Sequence, residues 1–221
     1  MKEKIILSWS CGKESAMAYY RLLQDTRLEV AALLTTVTDD YDRVSMHGVR
    51  RSLLERQAEI LGLPLKRVFI PKEADNAIYE QRMGEMLSGC RREDIHTVAF
   101  GDIFLEDLKK YREEKLSQVD MHALFPLWKK DTGALIRDFI DLGFKAVVTC
   151  VDSKVLDASF AGRMIDRDFL SDLPSRADPC GENGEFHSFV FDGPIFGEMI
   201  PITIGEVVQR NGYIFCDVIP S

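Results

Sequence analysis

Residues 4–23 read KIILSWSCGKESAMAYYRLL, and their reading decides the fold. The apolar run Ile5-Ile6-Leu7 predicts a buried strand. Ser8 to Gly12 forms a tight polar turn, and Lys13 opens a segment with helical spacing. Strand, turn and helix N-terminus in that order make an anion site. The first-turn N–H groups have no helical partner, and the positive end of the helix dipole points at the same spot. Gly12 lets a ligand approach the backbone closely. Ser10 and Ser15 add hydroxyls, and Lys13 adds a cation. The expected ligand is a phosphate or pyrophosphate.

Two common phosphate loops do not fit. A Walker A loop needs Gly, four residues, then Gly-Lys-Ser/Thr. Here Leu7 stands five residues before Gly12, and Glu14 follows Lys13. A dinucleotide fingerprint needs three glycines, and only Gly12 is present. Ser10-Cys11-Gly12-Lys13-Glu14-Ser15 instead resembles Ser-Gly-Gly-x-Asp-Ser, the pyrophosphate loop of the ATP pyrophosphatases. Cys11 replaces the first glycine and Glu14 replaces the aspartate. A serine-capped helix after an edge strand is the structural alternative.

The 221 residues suit one large domain, or a domain with a smaller appendage. With 46% hydrophobic and 29% charged residues, the composition is that of a globular protein able to bury a core. No run approaches the ~18 apolar residues of a membrane span, and MKEKIIL is too short and charged for a signal peptide. Five scattered cysteines without a C-x-x-C pair argue against disulfides, zinc and iron–sulfur clusters, and a reducing cytoplasm is the expected setting. The net charge of −8 disfavours general nucleic-acid binding. A homo-oligomer stays open.

Further strands are expected at Val30–Val37, Leu65–Ile70, Thr97–Gly101 and His122–Trp128. Helices are expected at Val49–Leu61, stopped by Gly62, at Lys72–Ser88, stopped by Gly89, and at Phe104–Val119. In the helix at 72–88, Ala77, Ile78, Met83, Met86 and Leu87 are the packing residues. This alternation predicts an α/β fold, a doubly wound parallel sheet. Ligands in such sheets sit at the carboxyl ends of strands. Thr35, Thr36 and Val37 are therefore expected beside the loop, with His47 nearby. Gly101-Asp102 ends another strand, where Asp102 can serve ribose, Mg²⁺ or a helix N-cap.

Beyond Trp128 the character changes. A helix at Thr132–Leu142 and a strand at Ala146–Val151 precede Asp152–Leu173, which reads as broken helix. Short strands follow at Phe186–Phe191, Ile200–Ile204 and Tyr213–Ile219. This predicts a parallel-sheet domain at residues 1–127 and a smaller α+β domain at 128–221. Its loop 178–188 gathers Cys180, Glu182, Asn183, Glu185 and His187 around two glycines. These groups can orient ammonia, bind a cationic or amide-bearing substrate, or hold Mg²⁺. A solvated hairpin is the bland alternative.

Taken in order, the pieces Ser10–Ser15, Ser45-Met46-His47, Phe100-Gly101-Asp102-Ile103, Phe125-Pro126-Leu127-Trp128, Gly181–His187 and Asp192-Gly193-Pro194 resemble the diphthine–ammonia ligase family of ATP pyrophosphatases. The resemblance covers nearly the whole chain. It implies that residues 1–127 are an ATP-binding domain and 128–221 a smaller substrate-binding domain, together with Mg·ATP use, adenylation of a carboxylate with release of pyrophosphate, and displacement of AMP by ammonia. Diphthine-amidating members look like Glu-Gly-Gly-Glu-Tyr/Phe-Glu-Thr in the second loop. Asn183 and His187 depart from that pattern and resemble a branch proposed for corrinoid salvage. The acceptor is then a small-molecule or protein carboxylate, with a corrinoid-type acid favoured over diphthine.

On this reading Ser10, Cys11, Gly12, Lys13, Glu14 and Ser15 hold phosphates, with Lys13 catalytic. Thr35, Thr36, Val37, His47, Gly101 and Asp102 complete the ATP site, and Glu14 and Asp102 are the Mg²⁺ candidates. Glu182, Asn183, Glu185 and His187 place the substrate, and Glu185 and His187 handle the proton of ammonium. Cys11 reads as a glycine substitute and not as a reactive thiol. Two other classes could use the same loop. One is a tRNA-modifying enzyme, against which the missing C-x-x-C and basic arm speak. The other is an ATP-binding sensor without chemistry, against which the acidic second loop speaks.

Overall fold

In a computed structural model, residues 2–45 and 47–221 are described. Met46, in the middle of the Ser45-Met46-His47 motif, lies outside the described residues. The elements alternate as expected. Strand β1 (Glu3–Ser8) leads to helix α1 (Lys13–Leu23), β2 (Leu28–Thr38) and the short β3 (Arg43–Val44). Then come α2 (Arg51–Leu61), β4 (Leu65–Ile70), α3 (Asn76–Arg92), β5 (Thr97–Ala99), α4 (Glu106–Ser117) and β6 (His122–Leu124). The C-terminal part holds α5 (Thr132–Asp141), β7 (Lys145–Asp152), α6 (Arg167–Asp172), β8 (Phe186–Asp192), β9 (Ile202–Arg210) and β10 (Tyr213–Pro220).

The first sheet runs β4-β2-β1-β5-β6, all parallel, with β3 antiparallel to the far end of β2. The chain winds outward in both directions from β1, so the order reverses between β1 and β5. The crevice at the carboxyl ends of these two strands is where such sheets bind ligands. One face of the sheet buries Ile6, Leu34, Val68 and Val98 with Leu87 and Cys90 of α3 and Leu116 of α4. The other buries Ile5, Leu7 and Leu33 against α1 and α2. Helices on both faces make the sheet doubly wound.

The second sheet, β8-β7-β10-β9, is antiparallel. It closes over α1 and α2, and its Val147, Phe189 and Val190 belong to the same core as Leu7 and Leu53. This explains why α1 is apolar nearly all round: Ala16, Met17, Ala18, Tyr19 and Leu22 are all buried, as a helix sandwiched between two layers requires. By contrast α4 lies at the surface and buries only Leu116.

Five expectations need correction. Strand β6 stops at Leu124, because Pro126 lacks an N–H and residues 125–128 turn, with Trp128 N donating to Phe125 O. Helix α3 begins late, at an Asp75 cap whose carboxylate accepts from Ile78 N, and it passes through Gly89 to Arg92. Ala77 and Ile78 consequently face solvent. Residues 152–173 contain one 3-10 turn at Ala158–Phe160 and the six-residue α6, and no longer helix. The strand expected at Ile200–Ile204 is displaced to 202–210 as the sheet's edge. Asp102 does not cap α4, whose cap is Leu105.

Candidate active site

The turn after β1 is fixed by buried hydrogen bonds on both sides. Trp9 N donates to Leu34 O at 2.8 Å, and the Thr35 hydroxyl donates to Trp9 O at 2.7 Å. The Trp9 indole donates to Gln57 Oε1 at 2.7 Å. The same Gln57 amide donates to Val190 O at 2.6 Å and to Cys11 O at 3.3 Å. Val190 N in turn donates to Cys11 O at 2.9 Å. The fully buried Gln57 thus ties the turn to β8 of the second sheet.

Cys11 adopts φ 68°, the left-handed region that favours glycine. This is the position at which the resembling motif carries glycine. Its side chain is fully buried, and burial pushes the thiol well up, so it stays protonated. At Gly12 a Cβ would come within 3.2 Å of Ser188 O and 3.5 Å of the His47 ring, so a side chain there would crowd the cradle. Gly101 meets the backbone of Glu14 at 2.9 Å from an added Cβ, so the loop after β5 needs glycine to pack on the first turn of α1.

Two adjoining clefts open at the carboxyl edge of the parallel sheet. The larger, about 500 Å³, is lined by Trp9, Thr35, Thr36, Ser45, His47 and Phe100 among others. The smaller, about 190 Å³, is lined by Ser10, Glu14, Ser15, Asp102, Glu182 and His187. Ser10 and His47 border both. The hydroxyls of Ser10 and Ser15 lie 3.2 Å apart, and Ser15 also donates to Gly12 O. The Lys13 ammonium is buried, 2.6 Å from Glu14 Oε1 and 4.4 Å from the centre of the Phe186 ring. Its backbone N–H donates to the Ser188 hydroxyl at 3.2 Å.

The remaining charges around the smaller cleft are compensated. Asp102 pairs with Arg112 at 2.7 Å, and Arg112 lies over Phe100 at 4.2 Å. Glu182 Oε1 accepts from Ile103 N at 2.7 Å, which joins the second loop to the loop after β5. Burial, reinforced by Glu14 and Asp102, pushes the Glu182 carboxyl up to about 7. His47 and His187 face each other with ring centres 4.4 Å apart. Burial first, and then the Lys13 charge, lowers His187 to about 4 and holds His47 well below the usual histidine range, with His187 adding to the His47 shift.

Some residues singled out in the sequence line neither cleft, among them Cys11, Gly12 and Lys13, whose buried ammonium pairs with Glu14. Val37 is fully buried behind the cleft wall. The Glu185 carboxylate accepts from Asp178 N at 2.8 Å, Asn183 N at 3.0 Å and the Asn183 amide at 3.0 Å. It braces its own loop, and Asn183 is spent on it. Gly181, at φ 66°, sits where an added Cβ would meet Phe186 O at 2.8 Å. Sequence reading missed Gln57, Arg112 and Ser188. Gln57 carried a usable signal: it falls on the stripe of Leu53, Leu54 and Ala58, a polar side chain on the buried face of α2.

Glu14 Oε1 and Asp102 Oδ2 are buried and, although each is close to a cation, neither makes a hydrogen bond. Two such acceptors beside one cleft fit Mg²⁺ arriving with phosphates, since Mg²⁺ keeps phosphate and water as most of its ligands. Among the described residues, no group of three His, Cys, Asp or Glu side chains could hold a metal ion without such help.

A parallel sheet reversed at β1, with a helix N-terminus and a buried lysine at the reversal, defines the chain as a nucleotide-binding-type α/β protein. The family model described as Diphthamide synthase N-terminal domain matches residues 3–122, and the Diphthamide synthase C-terminal domain matches residues 131–218. The chain belongs to this diphthamide synthase family. It is similar to the diphthine–ammonia ligase of Bos taurus, 24% identical over 197 residues that cover 82% of this chain and 73% of the relative. The Danio rerio ligase of the same name is 26% identical over 203 residues, covering 82% and 77%. That of Schizosaccharomyces pombe is 25% identical over 193 residues, covering 80% of this chain and 32% of a longer protein.

Proposed function

We propose that this protein is an ATP-dependent ligase that converts a substrate carboxylate to an amide. The observation that carries the reading is the convergence on one cleft of Ser10, Glu14 and Ser15 from the first loop and Glu182 and His187 from the second, with the buried Lys13 ammonium paired to Glu14. The family membership and the ligase names of the relatives support it.

In the proposed reaction a carboxylate oxygen attacks the α phosphorus of ATP, and the bond to the β-phosphate oxygen breaks. Ammonia then attacks the acyl carbon of the resulting adenylate, AMP leaves, and one proton is released. First-turn amides of α1, the Ser10 and Ser15 hydroxyls and Lys13 would stabilise charge on the departing pyrophosphate. Donors held in place before reaction are usually the largest catalytic contribution. Glu14 and Asp102 would hold Mg²⁺, which neutralises phosphate charge. Thr36 and His47 border the space left for adenosine.

For the acceptor we propose a corrinoid-type carboxylic acid, on the strength of Asn183 and His187 in the second loop. Diphthine is the second reading, favoured by the names of the relatives. The test supplies Mg·ATP and ammonium with a panel of corrinoid acids, and separately with diphthine-bearing elongation factor 2. Each acceptor is then weighed by mass spectrometry for exchange of OH by NH2. Conversion of a corrinoid acid alone supports the reading. Conversion of diphthine alone replaces the acceptor and keeps the ligase, and tight tRNA binding with no conversion would overturn the ligase.

A further inference from the structure

The mechanism leaves the nitrogen source without a binding site, and one pair of half-buried side chains meets beside both clefts. His47 comes from the segment between β3 and α2, and His187 from the start of β8. Their rings meet at 4.4 Å, where the two clefts join. His47 Nδ1 is buried and has no hydrogen-bond partner. A buried polar atom without a partner is costly, which marks it as a place where a ligand belongs.

The segment that carries His47 is clamped. Arg43 Nη1 donates to Gly48 O at 2.7 Å and to Asp217 at 2.9 Å, and Arg50 Nη2 donates to Asp217 at 2.5 Å. Val44 N donates to Val49 O, closing the strap. Asp217 of β10 therefore fixes the position of His47 from the second sheet, while β8 of that sheet presents His187.

We propose that His47 and His187 form the binding site for ammonia, held as the neutral molecule at the junction of the nucleotide and acceptor clefts. The proposal rests on the ligase reading above. Only NH3, and not NH4⁺, has the lone pair needed to attack the adenylate. An imidazole nitrogen accepts an N–H from ammonia without carrying charge. The charged groups around the pair select the same species. The Lys13 charge is felt at both rings and disfavours a second cation there. Glu14 is paired with Lys13, Asp102 with Arg112, Glu182 with the Ile103 amide, and Glu185 with its own loop. Among the described residues, the acceptors left over at these carboxylates are Glu14 Oε1 and Asp102 Oδ2, the two that would hold Mg²⁺. Burial and Lys13 keep both rings uncharged at neutral pH. In the step that follows, the C–N bond forms and the C–O bond to AMP breaks. The N-protonated amide first produced is a strong acid and passes its proton to a ring and on to solvent.

The chain has four histidines, and His96 and His122 are exposed, so they serve as internal references. Ring nitrogens of the 15N-labelled protein are followed by NMR at fixed total ammonium chloride, at about pH 7 and about pH 9, with sodium chloride as control. Free ammonia rises steeply over that range. The expected result is that His47 and His187 move with free ammonia while His96 and His122 do not, and that the His47 response is lost in His187→Phe. Signals that follow total ammonium, move alike at all four rings, or stay still would overturn the proposal. The ligase reading fails separately: responsive rings without AMP formation leave the ammonia site and remove the ligase, and AMP formation with silent rings does the reverse.

Discussion

The two polar loops of this protein look alike in sequence and differ in how they use their side chains. The turn at 9–12 is held by residues outside it: Gln57, Thr35 and the backbone of Val190 take up its backbone and indole groups. Its Ser10 hydroxyl lines the cleft with Glu14 and Ser15 of α1, while the buried Lys13 pairs with Glu14. The loop at 178–188 is held by its own members. Asp178 accepts from Cys180 N and Glu182 N, and Glu185 accepts from Asp178 N and from Asn183. Only Glu182 and His187 of its conspicuous polar groups reach the cleft. A loop anchored from outside keeps its chemistry free. A loop that anchors itself spends part of it.

The largest effect is expected at Lys13. Lys13→Ala removes a buried cation from the proposed leaving-group site, and ATP turnover should fall at least ~100-fold while circular dichroism stays native. Next come the two anchors. Gln57→Leu strands the Trp9 indole and removes the side-chain donor to Val190 O, while Cys11 O keeps Val190 N, and should cost about 2–4 kcal/mol in urea unfolding. A comparable loss is expected for Glu185→Ala, about 2–4 kcal/mol, because three donors lose their acceptor. If Glu185→Ala abolishes turnover without changing stability, the contrast between the loops is broken and Glu185 is a catalytic group.

A smaller effect is expected from Glu182. Its folded carboxyl titrates at about 7 against an ordinary 4.5, so the folded protein holds this proton longer than the unfolded chain. Stability should therefore fall as pH rises from about 4.5 to about 7, and level off above. Glu182→Gln keeps an oxygen acceptor for Ile103 N and should flatten that slope, by about 1 kcal/mol after solvent screening. Thermal unfolding across this range checks it. The smallest effect is at Cys11. Cys11→Gly relieves a left-handed backbone but empties a buried site, so stability should stay within about 1 kcal/mol of the parent. Cys11→Val should lose more than that, since a β-branched residue tolerates φ 68° poorly.

Much of the fold was legible because β1, β2 and β5 are apolar runs, as buried parallel strands must be, and β4 keeps the apolar end Val68-Phe69-Ile70. The path after Leu124 was harder. Residues 152–173 hold apolar residues such as Leu156, Phe160 and Phe169 at uneven spacing, which mimics broken helix while the chain turns around the second sheet. Strand β9 is a mostly exposed edge, so it lacks a burial pattern to read. In the site, the turn between β1 and α1 was legible from its order of strand, glycine and lysine. The role of Glu185 was not, since sequence gives no sign of where a carboxylate points. Arg112 was hidden among the charges of a surface helix.

The central claim is that the turn at residues 10–15 holds a pyrophosphate leaving group. Its most direct test is 31P NMR of the nucleotide products formed from Mg·ATP, ammonium and an accepted carboxylate. Equal amounts of AMP and pyrophosphate, absent in Lys13→Ala, are the predicted result. ADP and inorganic phosphate would contradict it.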